Sequence, residues 1–505
     1  MPLINSVVNW LNYKRIYQID LYSRHPIDIQ QEQLFQLLDL ARNTEFGKMY
    51  QFESVQTVGE FQRRLPLQGY EEIKPWVERL RAGEKNLLWP GEVRWFAKSS
   101  GTTNDKSKFI PVTKESLESC HFRGGKDVLA LYMRNYPESR IFTGKSLTLG
   151  GSHAINNFSN NSFYGDLSAI LIENIPFWTQ FIRIPSTEIA LIPEFEEKID
   201  KIIETSLNEN VTSFAGVPSW YLVLLKRILE KTGSKSILEI WPNLELFIHG
   251  GINFDPYREQ YRKIIPSAQM HYMETYNASE GFFAIQDNPS QHDMLLMLDL
   301  GVFYEFIPMK EWGTDSPRVV TLEGVNTEEN YAIVISTNGG LWRYIIGDTV
   351  RFTSLNPYKI RITGRTRHFI NAFGEELIVD NAEQALKIAC EREHAIIQEY
   401  TAGPVFMSEG EQGAHQWIIE FEKEPSSPEH FMTLLDTALK TLNSDYEAKR
   451  HKNMTLSMPQ LVIAPPGTFY AWMKNRGKTG GQNKIPRLAN DRLYLDQLLE
   501  LLGKK

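Results

Sequence analysis

The sequence has little cysteine and no long apolar run. Its two cysteines, Cys120 and Cys390, lie far apart in apolar surroundings. This excludes a disulfide framework and the paired-cysteine spacing of a structural zinc site. No stretch approaches the roughly 18 uncharged apolar residues that a membrane-spanning helix needs. Residues 1–10 also lack the basic start and apolar run of a signal peptide. We therefore expect a cytoplasmic protein without membrane contact.

The chain also lacks an excess of positive charge, internal repeats and low-complexity tracts. Its net charge of −8 argues against a protein that binds nucleic acid through its overall charge. Apolar residues make up 42% and charged residues 23%, which is typical of a soluble globular protein. A length of 505 residues predicts at least two domains.

The order of apolar segments predicts an α/β fold. Up to about Gly301, strands alternate with helices, which favours mixed or mainly parallel sheets. One helix is predicted over residues 29–42, with Leu34, Leu37, Leu38 and Ala41 on one face. From Gly301 the strands follow one another closely, beginning with a strand over residues 302–307, which predicts an antiparallel sub-domain. After Gly364 a smaller α+β region begins, with a helix near residues 382–393 and strands near residues 396–400 and 417–421. We therefore predict a large N-terminal domain over residues 1–363 and a small, mobile C-terminal domain over residues 364–505.

The most informative motif is a turn rich in hydroxyl groups that follows a predicted strand over residues 93–97. It reads Ser99-Ser100-Gly101-Thr102-Thr103 and is followed by Lys108. Hydroxyls and backbone N–H groups beside a glycine can cradle phosphate oxygens, and a lysine adds positive charge. Such turns are more often plain loops, so this motif alone leaves both interpretations open.

Two further motifs lie at the ends of predicted strands. Residues 276–281 follow a predicted strand over residues 269–273 and read Tyr-Asn-Ala-Ser-Glu-Gly, in which an aromatic ring can stack on adenine and Glu280 can bind Mg²⁺. Residues 342–348 read Trp-Arg-Tyr-Ile-Ile-Gly-Asp, and Asp348, which comes after a predicted strand over residues 341–346, is suited to accept hydrogen bonds from ribose hydroxyls. Polar loops at strand ends would explain either motif by itself.

Two glycine-containing segments complete the set. Gly364-Arg365 is followed ten residues later by Gly374. The two glycines would permit a hinge, and Arg365 could reach a ribose or a phosphate. Residues 480–487 form a glycine-rich basic loop in which Lys484 could contact an anion. A surface hairpin and a solvated charged tail are the alternative interpretations.

In order and spacing, these five motifs resemble the adenylate-forming superfamily, and most closely its acyl acid amido synthetase branch, first known from plant auxin-responsive genes. The resemblance extends from about residue 46 to residue 487. Asn277-Ala278 stands where the family pattern has Ala-Ser, Arg343 precedes Tyr344 instead of following it, and Asn483 replaces a glycine. These departures from the plant pattern suggest a bacterial member.

The resemblance implies that the protein adenylates a carboxylic acid with ATP and Mg²⁺ and then transfers the acyl group to an amine, such as an amino acid. A monomer would suffice for this activity. It implies catalytic roles for Lys108 and Lys484 and a magnesium ligand in Glu280. The implied nucleotide-binding residues are Ser99, Ser100, Gly101, Thr102, Thr103, Tyr276, Ser279, Asp348 and Arg365.

Two other hypotheses stay open. The activated acyl group could pass to a thiol such as coenzyme A instead of an amine. The chain could also be a non-enzymatic module that binds nucleic acid through its basic loop near residues 474–487, although the net charge of −8 argues against this.

Overall fold

The structure is a computed structural model of the whole chain. It describes residues 2–99, 108–149, 156–159, 161–192, 194–251, 254, 257–314, 316–366, 369–370, 375, 377–406, 413–443, 446–447, 450, 456–476, 485–489 and 491–503.

The chain forms two compact units, each composed of several segments. The first unit comprises Met1–Ile252, Gln260–Ile346 and Val350–Arg361. The second unit comprises Asn253–Glu259, Gly347–Thr349 and Ile362–Lys505.

The α-helices range in length from four to 23 residues. In chain order the α-helices are α1 (Pro2–Arg24), α2 (Pro26–Ala41), α3 (Glu45–Met49), α4 (Val58–Arg64), α5 (Tyr70–Arg81), α6 (Phe122–Asn135), α7 (Leu167–Asn174), α8 (Thr187–Ala190), α9 (Phe195–Ser206), α10 (Pro218–Thr232), α11 (Arg258–Ile264), α12 (Val379–Glu393), α13 (Pro428–Leu442), α14 (Thr468–Asn475) and α15 (Leu493–Leu501). A π-helical turn, Ser116–His121, leads into α6. Short 3₁₀ helices lie at Phe52–Ser54, Ile141–Thr143, Phe177–Phe181, Ile237–Glu239, Met309–Glu311 and Leu322–Gly324. Among the described residues, no helix combines the length and apolar character needed to cross a bilayer.

The strands of the described residues, also in chain order, form four sheets. They are β1 (Trp95–Ser99), β2 (Lys108–Val112), β3 (Lys145–Thr148), β4 (Asn156–Ser159), β5 (Ser162–Gly165), β6 (Arg183–Ile184), β7 (Val211–Gly216), β8 (Leu246–Gly250), β9 (His271–Ala278), β10 (Gly281–Ile285), β11 (Met294–Leu296), β12 (Val302–Pro308), β13 (Asn330–Thr337), β14 (Tyr344–Leu355), β15 (Tyr358–Arg365), β16 (Phe369–Ile370), β17 (Leu377–Ile378), β18 (Ile396–Val405), β19 (Ala414–Lys423) and β20 (Gln460–Ala464).

The largest sheet has eleven strands in the order β12-β13-β14-β15-β11-β10-β9-β8-β7-β3-β6. From β9 to β6 the neighbouring strands are parallel, whereas β9–β10, β10–β11, β11–β15 and β12–β13 are antiparallel. The predicted antiparallel strands after Gly301 are therefore present, and they continue the same sheet as the parallel strands. Strand β9 joins the two halves because its parallel neighbour is β8 and its antiparallel neighbour is β10.

A second sheet, of four strands in the order β2-β1-β5-β4, carries the hydroxyl-rich motif. Strand β1 pairs with β2 in antiparallel fashion and with β5 in parallel fashion. Phe96, Ala97 and Ile110 are fully buried, and because consecutive residues of a strand point to opposite faces, the hairpin is covered on both faces here.

The second unit has its own core. Strands β18, β19 and β20 form a sheet in that order, and β16 pairs with β17. Helices α12 and α13 contribute Leu386, Phe431 and Leu435 to a core that also buries Trp417 and Ile419 from β19. The predicted helix over residues 382–393 and strand over 417–421 are thus confirmed, with wider bounds.

Candidate functional site

Lys108 is the first residue of β2, at the end of the β1–β2 hairpin where the two strands connect. It pairs with Ser99, the last residue of β1, so the sheet fixes the start of the hydroxyl-rich motif and the lysine that follows it. The ammonium of Lys108 lies 5.7 Å from the ring centroid of Tyr70, whose hydroxyl accepts a 2.8 Å hydrogen bond from the Phe109 N–H. Ser100, Gly101, Thr102 and Thr103 lie outside the described residues, and their phosphate-binding role stays a prediction.

Ser279 and Glu280 form the turn of a second hairpin, between β9 and β10. The sequence predicted that a strand ends at residue 273 and that the motif forms a loop after it. This is wrong, because β9 continues to Ala278, which pairs with Gly281. The motif is therefore mostly strand, and its serine and glutamate lie at the hairpin tip. Glu280 is half-buried there.

Tyr276 faces the core of the first unit. Its ring packs against Phe283 with centroids 4.9 Å apart, and 4% of the residue is exposed. In the observed conformation the ring therefore presents little surface to a nucleotide. Its role at adenine stays a prediction.

The π-helical turn Ser116–His121 joins the two hairpins, since it follows β2 and contacts β9 and β10. The Phe282 N–H donates to Cys120 Sγ (3.2 Å), and His121 Nδ1 lies 3.0 Å from Asn277 Oδ1. Gly124 is needed for this approach, because a Cβ there would lie 2.5 Å from the Phe282 ring. Burial lowers the pKa of His121 to about 4, so its imidazole is neutral near pH 7.

Sequence reasoning did not select His121. The signal that could have found it is Asn277, the polar residue that stands where the family pattern has alanine. Only the fold shows that the partner of this asparagine is on another element.

Arg343, in the third motif, is a structural residue. Its guanidinium forms a 3.0 Å ion pair with Glu305 and donates to the carbonyls of Gln62 (2.9 Å) and Leu65 (2.6 Å). Both charged side chains are buried, and Arg343 has a left-handed backbone with φ of 44°. Residues other than glycine rarely adopt this backbone conformation. At Arg343 the ion pair with Glu305 and the hydrogen bonds to backbone carbonyls stabilise it.

Asp348 lies within β14, not after it as the sequence predicted, because the strand runs from Tyr344 to Leu355. Its carboxylate Oδ1 is 2.9 Å from Arg365 Nε on β15. The Asp348 side chain is largely buried, whereas 41% of the Arg365 side chain is exposed. The two residues selected from separate motifs are thus brought together on adjacent strands.

Lys484 and Gly374 lie outside the described residues, but the structure describes residues close to each of them in sequence. Arg487 accepts a 2.8 Å hydrogen bond from the Ala402 N–H through its carbonyl and pairs with Glu399 at 2.5 Å. Glu375, one residue after Gly374, is fully buried and lies 2.8 Å from His415 Nε2. Both flanking segments are therefore anchored to the core of the second unit.

Within the described residues, no group of three or more His, Cys, Asp and Glu side chains could hold a metal ion. Glu280 is a single carboxylate at a hairpin tip. This fits Mg²⁺, which proteins commonly bind through one or two carboxylates together with substrate phosphates and water.

Three family models match the chain. Residues 15–270 match the GH3 family N-terminal domain, residues 295–365 the GH3 family central domain and residues 380–493 the GH3 family C-terminal domain.

Curated relatives align over most of the chain. An indole-3-acetic acid-amido synthetase, GH3.4 of Arabidopsis thaliana, is 21% identical over 97% of this chain and 93% of its own length. Another, GH3.8 of Oryza sativa subsp. indica, is 22% identical over 91% of this chain and 87% of its own length. The jasmonoyl–L-amino acid synthetase JAR4 of Nicotiana attenuata is 23% identical over 66% of this chain and 68% of its own length.

Solved structures share the fold. The GH3.15 acyl acid amido synthetase in complex with 2,4-DB superposes with a TM-score of 0.81 at 17% identity, over 97% of this chain and 96% of that one. A 2-hydroxyisobutyryl-CoA ligase in the postadenylation state gives a TM-score of 0.60 at 11% identity, over 94% and 92% of the two chains.

Proposed function

Because the chain belongs to the GH3 family, we propose that it is an ATP-dependent acyl-acid amido synthetase. It adenylates a carboxylic acid, releasing pyrophosphate, and then transfers the acyl group to an amine, an amino acid in our proposal. The observation that carries this proposal is the helical turn over residues 116–121. This turn follows the β1–β2 hairpin, which bears Lys108, and contacts the β9–β10 hairpin, which bears Glu280, so it links two of the predicted nucleotide-binding motifs.

In the first half-reaction, a carboxylate oxygen attacks the α-phosphorus of ATP. The O–P bond forms, the bond to the pyrophosphate oxygen breaks, and pyrophosphate leaves. Such a reaction needs positioning and neutralisation of charge more than it needs a protein nucleophile. Lys108 and the turn over residues 99–103 are assigned to the β- and γ-phosphates. Ser279, at the tip of the second hairpin, is also assigned to a phosphate.

Glu280 is assigned to Mg²⁺. When bound, this ion would neutralise charge on the phosphates. Glu280 is suited to this role because it lies at a turn between two strands of the sheet, which fixes the backbone that carries its carboxylate.

Asp348 and Arg365 are assigned to the nucleoside end of ATP. A carboxylate accepts hydrogen bonds from both ribose hydroxyls, and the 2.9 Å contact with Arg365 orients it for this role. Tyr276 is assigned to adenine.

Lys484 is assigned to the α-phosphate or the leaving pyrophosphate. We place the boundary of the mobile C-terminal domain at residue 364, so Lys484 enters the site when this domain turns. Mobility and boundary are both part of the proposal.

In the second half-reaction, the amine nitrogen attacks the acyl carbon. The C–N bond forms, the bond from carbon to the phosphate oxygen breaks, AMP leaves, and the amine loses a proton. We favour an amine over a thiol because curated relatives that align over nearly the whole chain are amido synthetases. The coenzyme A ligase shares the fold alone.

The test is release of AMP and pyrophosphate from MgATP across a panel of aromatic and aliphatic carboxylic acids, with and without mixed amino acids. An acid-dependent release of pyrophosphate, and an amide on addition of amino acids, would support the proposal. A thioester formed only with coenzyme A would favour the thiol acceptor, and ADP in place of AMP would contradict adenylation. We further propose that the protein acts as a cytoplasmic monomer, which sedimentation of the purified chain and cell fractionation would check.

A further inference from the structure

Tyr70 contacts two consecutive residues at the start of β2. Its ring centroid lies 5.7 Å from the Lys108 ammonium, which is within the range of a cation–π contact. Its hydroxyl accepts a 2.8 Å hydrogen bond from the Phe109 N–H. One side chain therefore contacts both the charged end of Lys108 and the backbone that follows this lysine.

Strand β2 lies at one edge of its four-stranded sheet in the described part of the chain. The N–H groups on the outer side of an edge strand lack the acceptors that a neighbouring strand would provide. At Phe109 the Tyr70 hydroxyl supplies the acceptor instead. Because Ser99 pairs with Lys108 on the inner side of β2, this strand is held on both sides where it begins.

The chain around Tyr70 is itself fixed. The Gln68 N–H donates to the Arg343 carbonyl (3.0 Å), and the Gln68 carbonyl accepts from the Ile345 N–H (2.8 Å). Tyr70 is the first residue of α5, and the Glu72 carboxylate caps this helix by accepting a 2.8 Å hydrogen bond from the backbone N–H just before Tyr70. The segment that leads into α5 thus holds Tyr70 at a defined distance from the third motif.

A lysine carries its charge on a flexible four-carbon side chain, so confining the ammonium reduces the entropy that is lost when it binds a phosphate. We propose that Tyr70 is a positioning residue for Lys108, whose ammonium its ring confines and whose backbone its hydroxyl fixes. This inference rests on the proposed function, in which Lys108 binds the β- and γ-phosphates of ATP. Tyr70 belongs to none of the five motifs, and only the fold brings it to Lys108.

Two variants separate the ring from the hydroxyl. Tyr70→Phe keeps the ring and removes the hydroxyl, whereas Tyr70→Leu removes both. We expect the KM for ATP in acid-dependent pyrophosphate release to rise about tenfold in Tyr70→Leu and about threefold in Tyr70→Phe. Transfer of the acyl group from supplied acyl adenylate to an amino acid should stay within about twofold of wild type, because the phosphates that Lys108 binds have already left.

Tyr358→Leu is the matched control. Tyr358 is partly buried, as Tyr70 is, and its hydroxyl donates to the Leu322 carbonyl at 2.9 Å. This variant also loses a ring and one hydrogen bond to the backbone, but away from the β1–β2 hairpin, so its KM for ATP should stay within about twofold of wild type. An equal rise of this KM in the two leucine variants would mean that Tyr70 acts only through the stability of the fold, and would overturn the inference.

The sharpest comparison uses a background without the lysine. In Lys108→Met no ammonium remains to be positioned, so adding Tyr70→Leu should change the KM for ATP by less than about twofold. A further rise of about tenfold in this background would mean that Tyr70 acts independently of Lys108, and would overturn the inference. If the wild type releases no pyrophosphate with any acid, the proposed function fails instead, and the position of Lys108 is then decided by a measurement that needs no catalysis.

This measurement is NMR of the protein after reductive methylation with isotope-labelled formaldehyde, which labels lysine amines and keeps their charge. The Lys108 signal is the one that is absent from Lys108→Met. In the wild type and in Tyr70→Phe the neighbouring ring should shift this signal, and in Tyr70→Leu the shift should disappear. A Lys108 signal at the same position in all three proteins would contradict the inference, whether or not the enzyme is active.

Discussion

Two arginine–carboxylate pairs occur near the start of β14, and they differ in the exposure of the arginine. Arg343 and Glu305 are both buried, and the remaining donors of the arginine reach backbone carbonyls. Asp348 is also largely buried and contacts Arg365, but 41% of this arginine side chain is exposed. The first pair, the buried pair, is enclosed and stabilises the fold. The second, here called the exposed pair after its arginine, is accessible to a ligand on one side. The comparison shows that proximity to a motif does not make a charged residue functional.

The largest expected effect comes from breaking the buried pair. Arg343→Met leaves the Glu305 charge buried without its partner, so we expect the free energy of unfolding to fall by about 3–5 kcal/mol. Urea denaturation at pH 7 measures this. Adding Glu305→Gln to the variant should recover part of the loss, because the buried charge is removed. A loss below about 1 kcal/mol would contradict the structural role.

A large effect on activity, with little effect on stability, should follow from Asp348→Ala. The variant loses hydrogen bonds from the ribose to a charged acceptor, and we expect kcat/KM for ATP in pyrophosphate release to fall about a hundredfold. Asp293→Ala is the control, since Asp293 is a carboxylate of similar burial that pairs with Lys359 at 3.7 Å. Equal losses in the two variants would show that Asp348 acts only through the fold.

Arg365→Ala should have a smaller effect. The arginine orients Asp348 and lies beside the proposed ribose site, so we expect the KM for ATP to rise about tenfold. The midpoint of urea denaturation should barely change. An unchanged KM for ATP together with a lower free energy of unfolding would mean that Asp348 and Arg365, like Arg343 and Glu305, only stabilise the fold.

The smallest effect is the coupling energy of the exposed pair. A double-mutant cycle with Asp348→Asn and Arg365→Ala should give at most about 1 kcal/mol in unfolding free energy, because solvent screens the exposed partner. The same cycle at Arg343 and Glu305 should give a clearly larger value. Similar coupling energies at both sites would remove the distinction between them.

Local elements could be predicted from the sequence because their signals are local. The apolar spacing of Leu34, Leu37, Leu38 and Ala41 predicted α2, and all four residues are buried. Strand β12 was predicted over residues 302–307 and is found over Val302–Pro308. Helix α1 was missed because its apolar residues do not form a clear stripe.

Non-local pairing limited the prediction of the site. Nothing in residues 269–278 shows that β9 continues through the second motif, because its extension depends on pairing with β10 and on contacts with the helical turn 116–121. For the same reason, the strand predicted from the sequence ended before Asp348. In the structure this strand, β14, continues to Leu355 because it pairs with β15. The sequence predicted that Asp348 and Arg365 belong to one nucleotide-binding site. It did not predict that they form an ion pair.

The pairing of Ser99 with Lys108 also bears on how the enzyme can diverge. Residues inserted into or deleted from the segment 100–107 change the connection between two strand ends without shifting the ladder that carries Lys108. Homologues can therefore differ in the length of this segment while their lysines stay in register. An insertion within a helix would rotate every side chain that follows it. An insertion between Ser99 and Lys108 leaves the lysine in place, so the length of this segment can change during evolution.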